Sequence, residues 1–406
     1  MKKYLIMTLF ITLFLLGTVV GCTQSDPNPD VTLPDSTEEA TTKAPETEAP
    51  TEEPTAEPET EAPTEAPTEE VTTEEPTTEE PTEAPTEELD YEPTYVSKEA
   101  GLVKIEDDLS TAVYRGSYGF EEFLAHGGAS TEAEIFQFLM TMLNNPTGLR
   151  FSIDGLGCST MQAPGKDGYF FGRNFDWNRC NVLFLTSYPD EGYASVSTVN
   201  TDFITALGNG GTLTDEQLIL AAHYAPLDGM NEKGLCVSIN LLPEGMELKQ
   251  ETGKTNLTIT SAIRLMLNKA ATVDEAIELL KQYDLSTGMN MVIHYMISDA
   301  QGKSVCVEFI DNVIHVTDAK VMTNHYLTPG EYYEQSRSQS SFDRYNKLAA
   351  ALKNTPVMAY TDVRRAMMDA AYGTVWTVIY DQQTMTAYYH HTNTFFKPLI
   401  VKLLEE

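Results

Sequence analysis

Basic residues, histidines and paired cysteines are all scarce in this sequence. Its 406 residues carry 26 Lys and Arg against 61 Asp and Glu, a formal net charge of −35. Contacts to phosphate need a basic face, so the composition argues against a nucleic-acid partner. The 5 cysteines include no C-x-x-C pair, and the 7 histidines show no metal-ligand spacing. The sequence therefore predicts no zinc knuckle, no redox motif and no metal site.

Residues 1–22 have the layout of an export signal. Two lysines precede a long apolar run that ends in small residues, "MKKYLIMTLFITLFLLGTVVGC". The ending "VVGC" resembles the lipobox of bacterial lipoproteins, with valine at the position usually held by leucine. Acyl chains on Cys22 would hold the protein at the extracellular face of a bacterial cell membrane. An uncleaved anchor is the alternative, since about 18 apolar residues suffice to span a bilayer.

Residues 23–96 are predicted to be a disordered linker. They consist mostly of Thr, Glu, Pro and Ala in imperfect repeats such as "TEAPTEAPTEE", and from Asp26 to Glu92 there are 24 acids and one lysine. A segment this polar has little apolar surface to bury, and proline with charge repulsion keeps it extended. After Glu92 the balance is 23 basic to 37 acidic residues. That part is long enough for one large core.

The remaining chain alternates hairpin-like and helix-pair patterns. Thr131 with Glu134, and Thr272 with Glu275, have the spacing of helix N-terminal capping boxes. Short β-branched and aromatic runs bounded by Gly, Asp and Pro predict strands, including a hairpin about 299–302. Because strands come in hairpins and helices in pairs, we expect antiparallel sheets covered by helices, an α+β layered domain.

One stretch, "GLGCSTMQAPGKDGYFFGRNFDW" at 155–177, suggests catalysis. A hairpin over 157–176 would bring Cys158 level with residues near Arg173. A guanidinium beside a thiol stabilises the thiolate and lowers its pKa, and the thiolate is the nucleophile. Asp176 would join them only through the strand end or a bulge.

No histidine in this stretch offers a general base. The α-amine of Cys158 would serve if the chain were cut after Gly157, since an α-amine has a reference pKa of about 7.7–8.0. Asp176 could then orient that amine. His325 would suggest a Cys–His dyad instead, but the local cysteine signature of papain-like enzymes is absent.

These residues resemble the N-terminal nucleophile hydrolases of the choloylglycine hydrolase, acid ceramidase and isopenicillin-N acyltransferase group. Further segments agree in the family's order, namely "GMNEKGLCVSIN", "HYMISDAQGKSVCVEF", "VMTNHYL" and "SSFDRYNKL". The resemblance places an oxyanion-stabilising asparagine on Asn240, a catalytic asparagine on Asn324 and a supporting arginine on Arg344. Bile salt hydrolases of the family carry the cysteine directly after the initiator methionine, whereas about 60 ordered-looking residues precede Cys158 here.

The resemblance implies a four-layer αββα fold and cleavage of a linear, non-peptide amide C–N bond of an N-acylated small molecule through a thioester. It implies no cofactor. Residues 97–157 would be a propeptide or an alpha segment, and 158–406 the catalytic domain. The alternatives are an acyltransferase of the isopenicillin-N type and a non-catalytic surface lipoprotein that binds a ligand. The oligomeric state stays open, a homo-oligomer included.

Overall fold

The computed structural model describes residues 93–143, 148–150, 158–207, 213–243, 245–287, 291–336, 338–392 and 394–404. The predicted export signal with Cys22, almost all of the predicted linker, and Gly157 lie outside the described residues. Within them, no helix combines the length and the hydropathy needed to cross a bilayer.

The described residues form 20 strands and eight α-helices. The strands are β1 (Thr94–Tyr95), β2 (Gly101–Glu106), β3 (Leu109–Arg115), β4 (Gly148–Arg150), β5 (Cys158–Pro164), β6 (Tyr169–Asp176), β7 (Val182–Tyr188), β8 (Ser195–Asn200), β9 (Thr205–Leu207), β10 (Asp228–Asn231), β11 (Cys236–Leu242), β12 (Thr255–Thr258), β13 (Tyr283–Ser286), β14 (Val292–Ser298), β15 (Ser304–Ile310), β16 (Val313–Asp318), β17 (Val321–Met322), β18 (Thr374–Asp381), β19 (Thr386–His391) and β20 (Leu399–Lys402). The helices are α1 (Phe120–Ala125), α2 (Glu132–Leu143), α3 (Asp215–Ala222), α4 (Ile259–Lys269), α5 (Val273–Leu280), α6 (Glu331–Gln335), α7 (Gln339–Asn354) and α8 (Tyr360–Asp369).

Two large sheets organise the fold. The first sheet has seven strands in the order β1-β20-β19-β18-β6-β5-β17, and the second has nine in the order β16-β15-β14-β11-β10-β8-β7-β3-β2. Their strands pair antiparallel, as expected, except for one parallel pair in each sheet, β1 beside β20 and β3 beside β7. A parallel pair needs a long crossover connection, and a hairpin-based prediction does not reveal one.

The two sheets pack face to face, with helices on both outer sides. Helices α7 and α8 contact the first sheet, α4 and α5 contact the second, and β5 of one sheet meets β11 of the other. Close packing of helix on sheet requires glycine at two strand positions. A Cβ at Gly172 would lie 3.0 Å from Met367 Sδ, and one at Gly229 would lie 2.7 Å from Leu267 Cδ1. The predicted four-layer αββα architecture is therefore confirmed.

The local signals predict several element ends correctly. The Thr272 hydroxyl accepts a hydrogen bond from Glu275 N at 3.2 Å, directly before α5. The Thr131 hydroxyl does the same for Glu134 N at 3.3 Å, before α2. Each Glu side chain then reaches back to the residue before the cap, so the boxes close one residue earlier than the usual pattern.

The region before Cys158 contains more strand than the sequence patterns indicated. Strands β2 and β3 form a hairpin at the edge of the second sheet, and β3 lies between β2 and β7. The side chains of Leu109, Ala112 and Val113 on β3 are buried in the protein core. Strand β1 lies inside the predicted linker 23–96, so regular structure is present before residue 97. This region is therefore an integral part of both sheets.

The burial of β3 leads to a stability prediction. Leu109 is 2% exposed, so Leu109→Ala should lower the free energy of unfolding by about 2–5 kcal/mol through lost burial and a residual cavity. Chemical denaturation of the purified protein measures this. Val103→Ala on neighbouring β2, where the side chain is 43% exposed, is the matched control and should change stability by about 0.5 kcal/mol or less. Equal effects of the two substitutions would contradict the integral role of β3.

Candidate active site

The site forms at the start of β5, where the strand pairs with β6. The turn at 165–168 closes this hairpin with a 2.7 Å bond from Gly165 N to Gly168 O. Cys158 lies opposite Phe175, and Thr160 lies opposite Arg173. Arg173 thus stands diagonally to Cys158 on the same face, and its Nη2 lies 3.7 Å from the cysteine Sγ.

Asp176 joins the site through an irregularity in the neighbouring strand. The register of β18 against β6 shifts between Thr374 and Trp376, opposite the end of β6. Thr374 Oγ1 then donates to Asp176 Oδ1 at 2.6 Å. Asp176 Oδ2 lies 3.6 Å from Arg344 Nη1, and the Asp176 backbone N–H faces the Cys158 sulfur. The carboxylate therefore faces an arginine, and the peptide N–H faces the thiol.

Asn324 and Arg344 hold the backbone of Cys158. Asn324 Oδ1 accepts hydrogen bonds from Cys158 N and from Arg344 Nη2, both at 2.7 Å. Arg344 Nη1 donates to the Cys158 carbonyl oxygen and, at 2.7 Å, to Ser159 Oγ. Asn324 Nδ2 donates to Leu241 O at 2.7 Å. Both side chains thus contact the main chain of Cys158, and neither bonds its sulfur.

Asn240 lies beside Cys158 in the wall of a shared pocket. Its Nδ2 donates to Thr323 O at 3.1 Å, and its Oδ1 has no hydrogen-bond partner among the described atoms. An amide nitrogen carries two hydrogens, and among the described residues the Asn240 Nδ2 donates only to Thr323 O. The structure therefore brings all six predicted positions together, namely Cys158, Arg173, Asp176, Asn240, Asn324 and Arg344.

A seventh residue, Asp228, was not predicted. It ion-pairs with Arg173 Nη1 across the two sheets, and both side chains are buried. Tyr380 OH donates to Asp228 Oδ1 at 2.6 Å, and Trp376 Nε1 donates to Oδ2 at 3.2 Å. The aromatic neighbours of Arg173 in "YFFGRNFDW" are the signal that could have indicated a buried guanidinium, which needs an acidic partner. The sequence contains too many acids to show which one.

The pKa of the Cys158 thiol differs in direction from the expectation. Burial raises this pKa above its usual value, and the opposing charges of Arg173 and Arg344 do not overcome it. Arg173 is already paired with Asp228 and donates to Ile239 O at 2.7 Å, so its charge is shared. The prediction of a lowered thiol pKa was therefore wrong for the chain in which the Cys158 nitrogen is an amide.

The Asp176 carboxyl is also hard to ionise. Burial raises its pKa to about 6, against the lowering effects of the Thr374 hydrogen bond and the Arg344 charge. Its titration therefore falls in a range in which small charge changes nearby alter its protonation state.

A small apolar pocket opens beside the Cys158 sulfur, with a volume of about 20 Å³. That is room for about one water molecule. Its lining residues are Cys158, Arg173, Phe175, Trp177, Phe203, Leu227, Ile239, Asn240, Leu241 and Ile259. Trp177 stacks on Phe175 with ring centroids 5.6 Å apart and meets the edge of Phe203 at 5.3 Å. Of the lining, Trp177 and Leu241 are only half-buried, which marks the side facing solvent.

The other cysteines and His325 lie outside this arrangement. Cys180, Cys236 and Cys306 are buried free thiols. His325 stacks on Phe342 with ring centroids 4.1 Å apart, and its Nδ1 lies 2.8 Å from Ser341 Oγ.

Two groups in the described part have metal-ligand side chains close together, His294 with Cys306 and Glu308, and Glu106 with Asp108 and His391. In the first group both Glu308 oxygens already accept backbone N–H groups. In the second, Asp108 is bound by Arg179 at 2.8 Å and by His391 at 3.0 Å. Hydrogen bonds and ion pairs therefore account for both groups.

Comparison with known proteins identifies the family. The sequence pattern of the linear amide C-N hydrolases, choloylglycine hydrolase family, matches residues 158–364. The chain belongs to this family. The match begins at Cys158 and includes the other five predicted site positions and Asp228.

Among curated proteins, this choloylglycine hydrolase family member is 30% identical over 183 residues to a bile salt hydrolase/transferase from Clostridium perfringens, covering 41% of this chain and 53% of the relative. It is 31% identical over 126 residues to a penicillin V acylase from Pectobacterium atrosepticum, covering 27% and 34%. The chain thus spans about half or less of the length of these relatives.

Solved structures of the same kinds also align. Penicillin V acylase from Agrobacterium tumefaciens aligns with a TM-score of 0.44 and 18% identity, over 60% of this chain and 84% of that one. A variant of the Clostridium perfringens conjugated bile acid hydrolase aligns with a TM-score of 0.45 and 18% identity, over 61% and 92%.

The raised pKa of Asp176 predicts a pH-dependent stability. Between its unfolded value of 3.8 and about 6, the folded chain binds more protons at Asp176 than the unfolded chain. This group therefore makes the free energy of unfolding fall as pH rises through that window, by roughly 3 kcal/mol at most. In a Cys158→Ala background, which avoids any chain cutting, adding Asp176→Asn should remove this contribution and leave that of Glu132, whose pKa burial raises to about 7.

Denaturant unfolding at pH 4 to 7 measures the effect. The exposed Asp190→Asn in the same background controls for the loss of one charge and should keep the fall. Parallel stability profiles for the background and the Asp176→Asn variant would show that Asp176 titrates normally.

Proposed function

We propose that the chain is a cysteine amidase of the N-terminal nucleophile type. It cleaves a linear, non-peptide amide C–N bond of an N-acylated small molecule through a thioester on Cys158. One observation carries the proposal: the Cys158 nitrogen and its sulfur are each bound by a different side chain, Asn324 at 2.7 Å and Arg173 at 3.7 Å, beside an apolar pocket. Amidases that use their own α-amine need this pairing of nucleophile and base.

Maturation begins with a cut between Gly157 and Cys158. The Cys158 sulfur attacks the Gly157 carbonyl carbon, the peptide C–N bond breaks, and the nitrogen leaves with a proton as a free α-amine. Water then hydrolyses the resulting thioester, which frees a carboxylate on Gly157 and the thiol. Asn324 supports this step because its oxygen already binds the nitrogen that becomes the leaving group.

Turnover uses the same atoms. The α-amine takes the thiol proton, and the thiolate attacks the substrate carbonyl to give an oxyanion. The remaining Asn240 N–H donates to that oxyanion, and Asn324 assists it. Each such donor lowers the activation free energy by about 3–4 kcal/mol. The α-ammonium then protonates the leaving nitrogen as the C–N bond breaks. Arg173, Asp176 and Arg344 keep the nucleophile and the amine in place.

Water completes the reaction. The α-amine accepts a proton from water as the hydroxyl oxygen attacks the thioester carbon, and the proton returns to the departing thiolate. A second amine at the same position would give acyl transfer instead. The residues that form the pocket suit an apolar acyl group held among Phe175, Trp177 and Phe203, and the small present volume requires the half-buried side of the pocket to widen.

The segment before the cut remains with the catalytic chain as an alpha subunit. Strand β3 lies within the second sheet, and Phe120 and Phe123 are buried in the shared core. Tyr118 OH donates to Asn268 at 2.7 Å, and Lys269 ion-pairs with Glu121 at the same distance. If Cys22 is lipid-modified, this subunit holds the catalytic chain at the membrane without a covalent bond.

Intact-mass analysis after expression in a lipoprotein-processing bacterial host tests maturation. Wild type should yield one fragment that begins at Cys158 and a second that ends at Gly157, eluting together in size exclusion. Cys158→Ser should slow or abolish the cut, and Cys158→Ala should stay one chain. A fully cut Ala variant would contradict self-cleavage, and separation of the fragments without denaturant would contradict the alpha subunit.

An amide panel scored for released amine tests the activity. Conjugated bile acids, penicillin V, acyl homoserine lactones, N-acyl amino acids and ceramide cover the relevant acyl and amine classes. At least one should be hydrolysed by wild type and not by Cys158→Ala. An added second amine that appears in a new amide would indicate transferase activity. An uncut chain, inert on the whole panel and resistant to thiol reagents at Cys158, would favour the ligand-binding alternative.

A further inference from the structure

A buried polar row crosses the second sheet behind the site. Asn240 on β11 lies opposite His294 on β14, and His294 lies opposite Glu308 on β15. Directly opposed residues of neighbouring strands project from the same face. All three side chains are at most 1% exposed. None of the proposed reaction steps uses His294 or Glu308.

The row contacts one loop, residues 323–328, which carries Asn324. His294 Nε2 lies 2.8 Å from Thr323 O, the carbonyl that also accepts the Asn240 amide. Glu308 Oε1 accepts from Leu327 N and Glu308 Oε2 from Thr328 N, both at 2.7 Å. The loop is thus held at both ends by the row, on either side of its catalytic asparagine.

His294 links the Thr323 carbonyl to the Glu308 carboxylate. A carbonyl oxygen only accepts, so Nε2 carries a hydrogen. The other ring nitrogen, Nδ1, lies 3.2 Å from Glu308 Oε1. Burial alone would raise the pKa of Glu308, but the hydrogen bond and charge of His294, with the loop N–H groups, lower it to about 2. Glu308 thus accepts from the loop through both carboxylate oxygens and contacts His294 through one of them.

We infer that the His294–Glu308 pair is a positioning unit for Asn240 and Asn324. It fixes the Thr323 carbonyl, which in turn orients the Asn240 amide so that its remaining N–H faces the pocket. It also fixes the loop backbone, which sets where Asn324 Oδ1 meets the Cys158 nitrogen. The inference rests on the proposed function for its kinetic consequences.

The test compares substitutions that differ only in the donor to Thr323. His294→Leu removes the donor, whereas His294→Gln keeps an N–H near Nε2. On whichever amide wild type hydrolyses, we expect His294→Leu to lower kcat by roughly 100-fold, the cost of a misplacement near 1 Å, with KM changed less than about threefold because the pocket lining is intact. His294→Gln should recover at least about tenfold of that loss.

Cys306→Val is the matched control. Its sulfur lies 3.5 Å from His294 Nδ1, in the same cluster, yet it bonds neither loop end. It should keep kcat within about twofold of wild type. A loss equal to that of His294→Leu would overturn the inference and indicate that the cluster acts through the thiol, as a metal site would. A raised KM with unchanged kcat in His294→Leu would overturn it as well.

Failure of the proposed function is recognised separately. If wild type hydrolyses no amide faster than Cys158→Ala does, the rate at which iodoacetamide alkylates Cys158 is measured in place of kcat. It should be at least about fivefold faster in His294→Leu than in wild type, since a loosened loop exposes the buried thiol, and unchanged in Cys306→Val. An unchanged rate in His294→Leu would overturn the inference. Should His294→Leu not fold, Glu308→Gln, which keeps the size and removes the charge, takes its place in both assays.

Discussion

The carboxamide oxygen of Asn324 is the atom on which the site depends. It accepts from the Cys158 nitrogen and from Arg344, which in turn binds the Cys158 carbonyl oxygen. The side-chain amide of Asn324 cannot flip to exchange its oxygen and nitrogen, because the nitrogen donates to Leu241 O at 2.7 Å. One side chain, 166 residues from the cysteine, therefore defines the position of both backbone groups of Cys158.

The arrangement buries four charged side chains, which costs free energy, and pairing of opposite charges offsets most of that cost. Arg173, Asp228, Asp176 and Arg344 each have a side chain that is at most 6% exposed. An isolated buried charge would cost several kcal/mol, but each of these faces an opposite charge and accepts or donates further hydrogen bonds. The same dry surroundings raise the pKa of the Cys158 thiol in the uncut chain. Under the proposed function, cutting replaces a neutral amide with an amine that can carry a positive charge beside the thiol, and this stabilises the thiolate only once the enzyme is mature.

Local sequence patterns predicted the features that depend on short-range interactions. The hairpin that carries Cys158 and Arg173, the helix caps at Thr131 and Thr272, and the layered fold all follow from short-range spacing. Asn240, Asn324 and Arg344 were located only through the family resemblance, because nothing near them in sequence distinguishes them from ordinary turn, sheet-edge or helix residues. Asp228 and the His294–Glu308 pair were missed because their partners lie on other strands.

The direction of the thiol pKa was missed for a different reason. Sequence spacing showed that a cation lies near Cys158, but it did not show how deeply the sulfur is buried or that Arg173 shares its charge with Asp228. The parallel pairing of β3 with β7 was likewise hidden, since the crossover between them contains two helices and the β5–β6 hairpin of the other sheet, and their local patterns do not show that β3 and β7 are neighbours. Long-range contacts, not local propensity, decide both features.

Strand register fixes the positions of the site residues that lie on strands. Cys158 opposite Phe175, and Asn240 opposite His294, are fixed by pairing, because a slip of one residue would turn every side chain of a strand to the other face. Asn324 lies on a loop, where no register applies. Its backbone N–H donates to Ser341 Oγ at 2.8 Å, and Ser341 precedes Arg344 by one turn of α7. The helix thus holds the loop from one side and the polar row of the second sheet holds it from the other, so hydrogen bonds replace strand register in positioning Asn324.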